Sequence, residues 1–292
     1  MTRKEAMQKG RIIKIVSSQY TIDMDGTEVI AGLRGRMRRG QTPVVGDFAA
    51  LEQIEDTWRV SHIEERRNRL LRPAIANVDQ ALIVTSAKDP DFSVHLMDRL
   101  IFLASMAGVE PVIVLTKSDK ADELELAAIQ QALEPYRKWY TVLETHPGSN
   151  DDELRELLKG KVSVLCGQSG AGKSSLLNRL DPSFKLRTQE ISKALGRGKH
   201  TTRHTELHPV AGGLTADTPG FSSMDFARMD LSTLAPSLAP FQPYLDECRF
   251  NDCAHLKEPD CAVKAAVEAG EIPRSLYEDY AQLLEETPQK KY

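Results

Sequence analysis

Gly167-Gln168-Ser169-Gly170-Ala171-Gly172-Lys173-Ser174 follows the apolar run Val162–Cys166 and leads, through Ser175, into a segment of helical spacing that ends near 180. The pattern G-x4-G-K-[ST] between a buried strand and a helix is that of a phosphate-binding loop. Small residues let backbone NH groups close around phosphate oxygens, and the helix N-terminus adds positive potential. Lys173 is placed to reach the β and γ oxygens of a nucleotide, and the Ser174 hydroxyl to bind Mg2+. A glycine-rich turn without a ligand is the alternative, and the strand-to-helix context weighs against it. Positions 167–175 are therefore the expected phosphate-binding set.

Downstream, Asp217-Thr218-Pro219-Gly220 closes the strand candidate 214–217. After a phosphate loop, D-x-x-G reads as a switch: Asp217 holds Mg2+ through water, and the Gly220 NH meets the γ-phosphate. Between the two lies Gly196-Arg197-Gly198-Lys199-His200-Thr201-Thr202-Arg203-His204, basic and glycine-containing. Thr201 or Thr202 completes the Mg2+ shell, and the sequence does not choose between them. A basic surface loop is the plainer reading of this stretch.

Upstream, Thr116-Lys117-Ser118-Asp119 ends the strand candidate 112–116. In such an element the carboxylate pairs with the N1 and N2 donors of guanine while the lysine stem covers the ring. Adenine has no matching donors, so Asp119 favours GTP by about 1.5 to 3 kcal/mol, the worth of a charged hydrogen bond. The end of a parallel strand is where open α/β sheets bind ligands. Thr145-His146, after the strand candidate 140–143, is either a second guanine-contacting loop or an ordinary turn. The base-reading element precedes the phosphate loop, the reverse of the usual GTPase order, so the chain reads as a circular permutation. Chain ends that lie close together allow a domain to be reopened elsewhere. The polypeptide then leaves the switch at Gly220 and runs directly into the C-terminal region.

That region carries Cys248-x4-Cys253-x-His255-x5-Cys261. Three thiolates and an imidazole are the ligand set of a closed structural Zn2+ site. Unligated thiols are the alternative, and Cys166 reads as a core residue.

The remaining chain fits this frame. At 292 residues and 41% hydrophobic content it is an ordinary globular chain of about two domains, with room for a small third module. No apolar run approaches the ~18 to 20 residues of a membrane-spanning helix. No apolar leader follows Met1, so the cytoplasm is the expected compartment and no membrane partner is expected. Residues 1–72 hold 14 Lys/Arg against 10 Asp/Glu, 181–204 hold 6 against 2, and 205–292 hold 7 against 15. The two basic segments suit an anionic partner such as RNA or a merely solvated surface. Segments near 12–16, 20–24, 29–33, 48–54 and 58–63 alternate as short strands, predicting a small barrel of OB type or another small antiparallel sheet. Arg34, Arg36, Arg38 and Arg39 fall on one of its loops. From 73 onward, strand candidates (81–86, 112–116, 140–143, 162–166, 205–208, 214–217) alternate with helix candidates (95–107, 121–138, 151–159, 173–180), the first helix capped by Ser93. This predicts a mostly parallel sheet covered by helices. After Phe221 no strong strand remains, and 274–286 reads as a helix. The expected division is 1–72 for an OB-type RNA-binding barrel, 73–222 for the permuted GTPase domain and 223–292 for a helical zinc module.

The order TKSD, GQSGAGKS, GRGKHTTR, DTPGF and C-x4-C-x-H-x5-C behind a barrel closely resembles the ribosome small-subunit-dependent GTPase A family of circularly permuted bacterial GTPases, over nearly the full length. The resemblance implies an N-terminal OB-fold, a central permuted GTPase domain and a C-terminal zinc domain. It also implies binding of the small ribosomal subunit and its rRNA in late maturation, with GTP hydrolysis stimulated by the particle. Lys117 and Asp119 then take the guanine contacts, and Cys248, Cys253, His255 and Cys261 hold zinc. His200 takes the family's hydrolytic histidine, a residue that can equally contact RNA. The residue after D-x-x-G is Phe221, which cannot orient a water by hydrogen bonding, so intrinsic hydrolysis is expected to be slow. The competing readings are an RNA-binding assembly factor that uses nucleotide occupancy as a switch with little turnover, and an ATPase with the same loop. A monomer is expected.

Overall fold

A computed structural model describes residues 8–35, 41–71, 73–184, 205–217, 226 and 229–287. It separates into two compact units, one of 1–79, 153–164 and 174–218, the other of 80–152, 165–173 and 219–292.

In the first unit, β1 (Gln8–Val16), β2 (Gln19–Met24), β3 (Thr27–Leu33), β4 (Phe48–Ile54) and β5 (Thr57–Ile63) close a barrel in the order β1-β2-β3-β5-β4. All neighbours are antiparallel except β3 and β5, which run parallel. Alternation along the strands turns Ile12, Ile22, Leu51, Val60 and Ile63 into one core. This is the expected barrel. Of the arginine cluster, Arg34 pairs with Glu52 at 2.6 Å, while 36–39 lie outside the described residues. Past the barrel, β6 (Arg69–Leu71) and β7 (Ala74–Ala76) form a separate hairpin that the sequence did not announce.

The second sheet has six strands in the order β10-β9-β8-β11-β13-β12. These are β8 (Gln80–Ser86), β9 (Glu110–Thr116), β10 (Thr141–Thr145), β11 (Val162–Cys166), β12 (His208–Val210) and β13 (Gly213–Asp217). Strand β8 pairs parallel with β9 and β9 with β10, whereas β12 and β13 form an antiparallel hairpin at the edge. Helix α1 (Val94–Met106) starts on Ser93, whose hydroxyl accepts the Leu96 NH as expected. Helices α2 (Glu123–Leu133), α3 (Asp152–Leu158) and α4 (Lys173–Leu180) follow.

Three boundaries differ from expectation, each for a local reason. The helix expected over 121–138 ends at Leu133, because Pro135 turns 134–136 into a 3-10 turn. Its start is fixed by a capping box between Asp122 and Glu125. The strand expected over 140–143 begins at Thr141, since the Tyr140 NH is spent on the Tyr136 carbonyl. The strand expected over 205–208 begins at His208: the Leu207 NH donates to Ile13 of β1, and Lys14 pairs with Glu206 at 2.9 Å.

Within the second unit, α1 meets the C-terminal helix Arg274–Glu286 through a buried polar cluster. The Tyr136 hydroxyl donates to the Asp98 carboxyl (2.7 and 2.8 Å to its oxygens) and lies 2.9 Å from Ser275 Oγ. Asp98 is fully buried and hydrogen-bonds Asp279, which also pairs with His95. Burial pushes the Asp98 carboxyl well above the usual range, and the neighbouring Asp279 adds to it.

Candidate nucleotide and metal sites

β11 ends in the glycine-rich loop, and that loop requires glycine. Gly167 has φ +139°, and a Cβ there would stand 2.1 Å from the Val84 carbonyl oxygen of β8. Gly170 and Gly172 also have positive φ, +86° and +92°. A run of such conformations turns successive NH groups inward, which is how a backbone binds an anion. Gln168 and Ser169 are exposed and Ala171 is buried. The Lys173 ammonium donates to the carbonyls of Gly167 and Gln168, both at 2.9 Å. Ser174 and Ser175 lie exposed in the first turn of α4. The cradle that a Cβ would fill, an ammonium at the loop and a hydroxyl in the first helical turn together fit a Mg2+-nucleotide.

The base-reading element meets this loop directly. The Thr116 hydroxyl at the end of β9 donates to the Ala171 carbonyl at 2.7 Å and also lies 3.2 Å from Thr85 O. Lys117 takes a left-handed conformation, φ 57° and ψ 30°, which swings the chain out of the sheet into the 3-10 turn Ser118–Lys120. Its Cε passes 4.0 Å from where a Cβ on Gly172 would be, and its ammonium donates to the Asp89 carbonyl. The Asp119 carboxylate is exposed on that turn. In register, Thr145 of β10 stands opposite Thr116 of β9, so the loop beginning at His146 neighbours the one beginning at Lys117.

Three contributors to these loops escaped the sequence reading. Asp151, read as helical, instead precedes α3 and accepts from the Thr145 hydroxyl at 2.5 Å. Ser149 bridges the same carboxylate (3.1 Å) and the His146 carbonyl (2.9 Å), tying the 145–151 loop to itself. The signal available was the Ser-Asn-Asp-Asp run at 149–152, rich in residues that bond local backbone. The Asp89 carbonyl had no such signal. His200, Thr201, Thr202 and Gly220 lie outside the described residues, as does the side chain of Asp217, whose backbone ends β13.

In the same unit, Cys248, Cys253, His255 and Cys261 bring their ligand atoms within 4.8 Å of one another. Cys248 Sγ and Cys261 Sγ stand 3.5 and 3.4 Å from His255 Nδ1 and 3.9 Å from each other. Tetrahedral zinc with ordinary bond lengths requires about 3.6 Å between sulfur and nitrogen and about 3.8 Å between sulfurs. The donor set and its spacing therefore fit one closed Zn2+ site. Burial pushes the Cys253 thiol up to about 12 and Cys261 upward, and it lowers His255. Thiolates grouped this closely require a cation to hold their charge. The ligand loop is held from outside: Tyr277 and Tyr280 donate to the carbonyls of His255 (2.8 Å) and Ala254 (2.9 Å). Glu258 accepts the NH groups of Ala254, Leu256 and Lys257. Cys166 takes no part: it is fully buried, with its thiol donating to Leu82 O and pushed by burial up to about 12.

Residues 63–227 match the model of the RsgA GTPase family. A small ribosomal subunit biogenesis GTPase RsgA of Shouchella clausii is 45% identical over 290 residues, covering 98% of this chain and 99% of the relative. The protein of the same name from Geobacillus kaustophilus is 44% identical with the same coverage. Among solved structures, YloQ, a circularly permuted GTPase, matches with TM-score 0.81 at 36% identity, over 100% of this chain and 99% of that one. YjeQ from Thermotoga maritima matches with TM-score 0.85 at 32% identity, over 98% and 100%. With the phosphate loop and the base-reading strand joined in permuted order and relatives alike from end to end, the chain belongs to the RsgA GTPase family.

Proposed function

We propose that this chain hydrolyses GTP to GDP and phosphate on the small ribosomal subunit, and that it serves the late maturation of that particle. The observation that carries the reading is the Thr116–Ala171 hydrogen bond, which sets a guanine-reading turn against a phosphate loop written later in the chain. The quoted relatives are named for small ribosomal subunit biogenesis, which supplies the particle. No helix among the described residues is long and apolar enough to cross a membrane. We place the chain in the cytoplasm, as a monomer, where that particle is made.

In this reading the NH groups of 167–173 hold the β and γ phosphates, and Lys173 leaves the loop carbonyls for the γ-phosphate. Asp119 pairs with guanine, the Lys117 stem covers its ring, and Thr116, Thr145 and His146 shape the pocket. Ser174 and Asp217 would hold Mg2+, which would neutralise charge on the transferring phosphate. Gly220 reads the γ-phosphate, and Thr201 or Thr202 completes the metal shell. Phe221 cannot orient the attacking water by hydrogen bonding, so His200 takes that role on the particle. His200→Ala then lowers particle-stimulated turnover and leaves GTP affinity nearly unchanged. Cys248, Cys253, His255 and Cys261 would hold one Zn2+, which would tie the C-terminal module together. The barrel within 1–72 supplies RNA contacts, 73–222 the GTPase and 223–292 the zinc module.

The test is co-sedimentation with isolated small and large subunits, in GDP and in a non-hydrolysable GTP analogue. Retention by the small subunit that depends on the nucleotide is expected. Equal retention on both subunits in both nucleotides contradicts the reading.

A further inference from the structure

A concave groove of about 590 Å³ lies beside the zinc cluster, with Cys253 and His255 in its wall. Its volume falls within the range of about 300 to 1,000 Å³ typical of ligand pockets. Leu231, Tyr280 and Leu284 give it an apolar floor, and Phe250, 40% exposed, stands at its edge. Its charged lining residues are Asp246 and Asp252, both exposed, and none of the described residues that line it is a lysine or arginine. The adjacent Arg249 is already engaged, 2.9 Å from Asp260 and over the Phe250 ring. Residues 230–287 carry four lysines and arginines against twelve aspartates and glutamates.

This combination selects the chemistry of an occupant. An RNA backbone would bring phosphates against two exposed carboxylates in an acidic module, with no cation among the described lining residues to offset them. A basic polypeptide meets the opposite condition: its lysines or arginines face Asp246 and Asp252, while an aromatic or aliphatic side chain fills the floor. We propose that the groove docks a basic protein segment of the small ribosomal subunit, anchored by an apolar side chain between flanking cations. The source of the segment rests on the function proposed above; the peptide chemistry rests on the groove alone. The chain then meets its particle with two chemically opposite surfaces, a basic barrel segment for RNA and an acidic, apolar groove for protein.

Fluorescence anisotropy of the zinc-loaded full chain tests this with two labelled peptides of equal charge. One carries central phenylalanine and leucine between arginines and lysines; the other has glycines at those two places. The anchored peptide is expected to bind about tenfold tighter or better, the gain from burying one large apolar side chain. Asp246→Asn with Asp252→Asn, and separately Phe250→Ser, each weaken it at least about fivefold. Equal affinity for the two peptides overturns the proposal. So does competition by single-stranded RNA as effective as the peptide, or self-association of the chain that Phe250→Ser abolishes. Loss of peptide binding by chain that still turns over GTP on small subunits strikes the groove assignment alone. Retained peptide binding without response to small subunits strikes the function on which its source depends.

Discussion

Replacing Thr116 by Val removes one hydroxyl and keeps the side chain's shape. Thr116 is buried, 5% exposed, and its hydroxyl donates at 2.7 Å to the carbonyl of Ala171, a residue 1% exposed. A hydrogen bond of this kind contributes about 0.5 to 1.5 kcal/mol net, and a buried carbonyl stripped of its partner costs about 1 to 3 kcal/mol. The loop can relax part of that, so a loss of about 1 to 2 kcal/mol is expected. Because the bond joins the base-reading turn to the phosphate loop, the loss falls on nucleotide binding. GDP affinity, measured by titration of a fluorescent GDP analogue, should fall about 5- to 30-fold. Thr116→Ser keeps the donor and should bind within about threefold of wild type. A Val variant with wild-type GDP affinity would refute the reasoning, since the two motifs would then hold their places without this link.

If Asp119 pairs with guanine as proposed, Asp119→Asn removes a charged hydrogen bond and should narrow the preference for GTP over ATP by about ten- to a hundredfold in competition binding, without affecting phosphate contacts. Metal analysis should give one zinc per chain, and stripping it, or Cys253→Ser, should unfold the C-terminal module, since such a site contributes about 10 kcal/mol or more. A thermal melt unchanged by chelation would contradict this. Burial raises the pKa of Asp98 in the folded chain above its unfolded value near 4. Folding therefore takes up a proton, and the stability from this pair is present at low pH and lost as pH rises through the raised pKa. Asp98→Asn, which accepts from Tyr136 and donates to Asp279, should flatten this pH dependence in denaturant melts; an unchanged slope would contradict it.

The barrel and the sheet were legible because their strands declare themselves by period and by turn residues. The order of motifs along the chain already pointed to a permuted GTPase domain with a mostly parallel sheet; that β9 and β11 flank β8 came only with the fold. What local sequence did not carry was the destination of particular backbone groups. The Leu207 NH turned to the barrel, the Tyr140 NH closed a helical turn, and the 145–151 loop was tied by Asp151 rather than by its own periodicity. The threonine at the head of Thr116–Asp119 looked like a departure from the usual asparagine; in the fold its hydroxyl reaches the phosphate loop. The zinc ligands were legible as a set, since thiols and an imidazole at short spacing have few other uses. The tyrosines that fix their loop come from a helix more than a dozen residues downstream and left no local trace. The apolar groove was not visible at all, because its lining is drawn from within 231–236, 245–256 and 280–284.

The most direct measurement is multiple-turnover phosphate release from GTP by the full chain, alone and with purified small subunits, with large subunits as control. The account predicts slow release by the chain alone, a marked rise with small subunits and none with large ones. Identical rates in all three mixtures would contradict it.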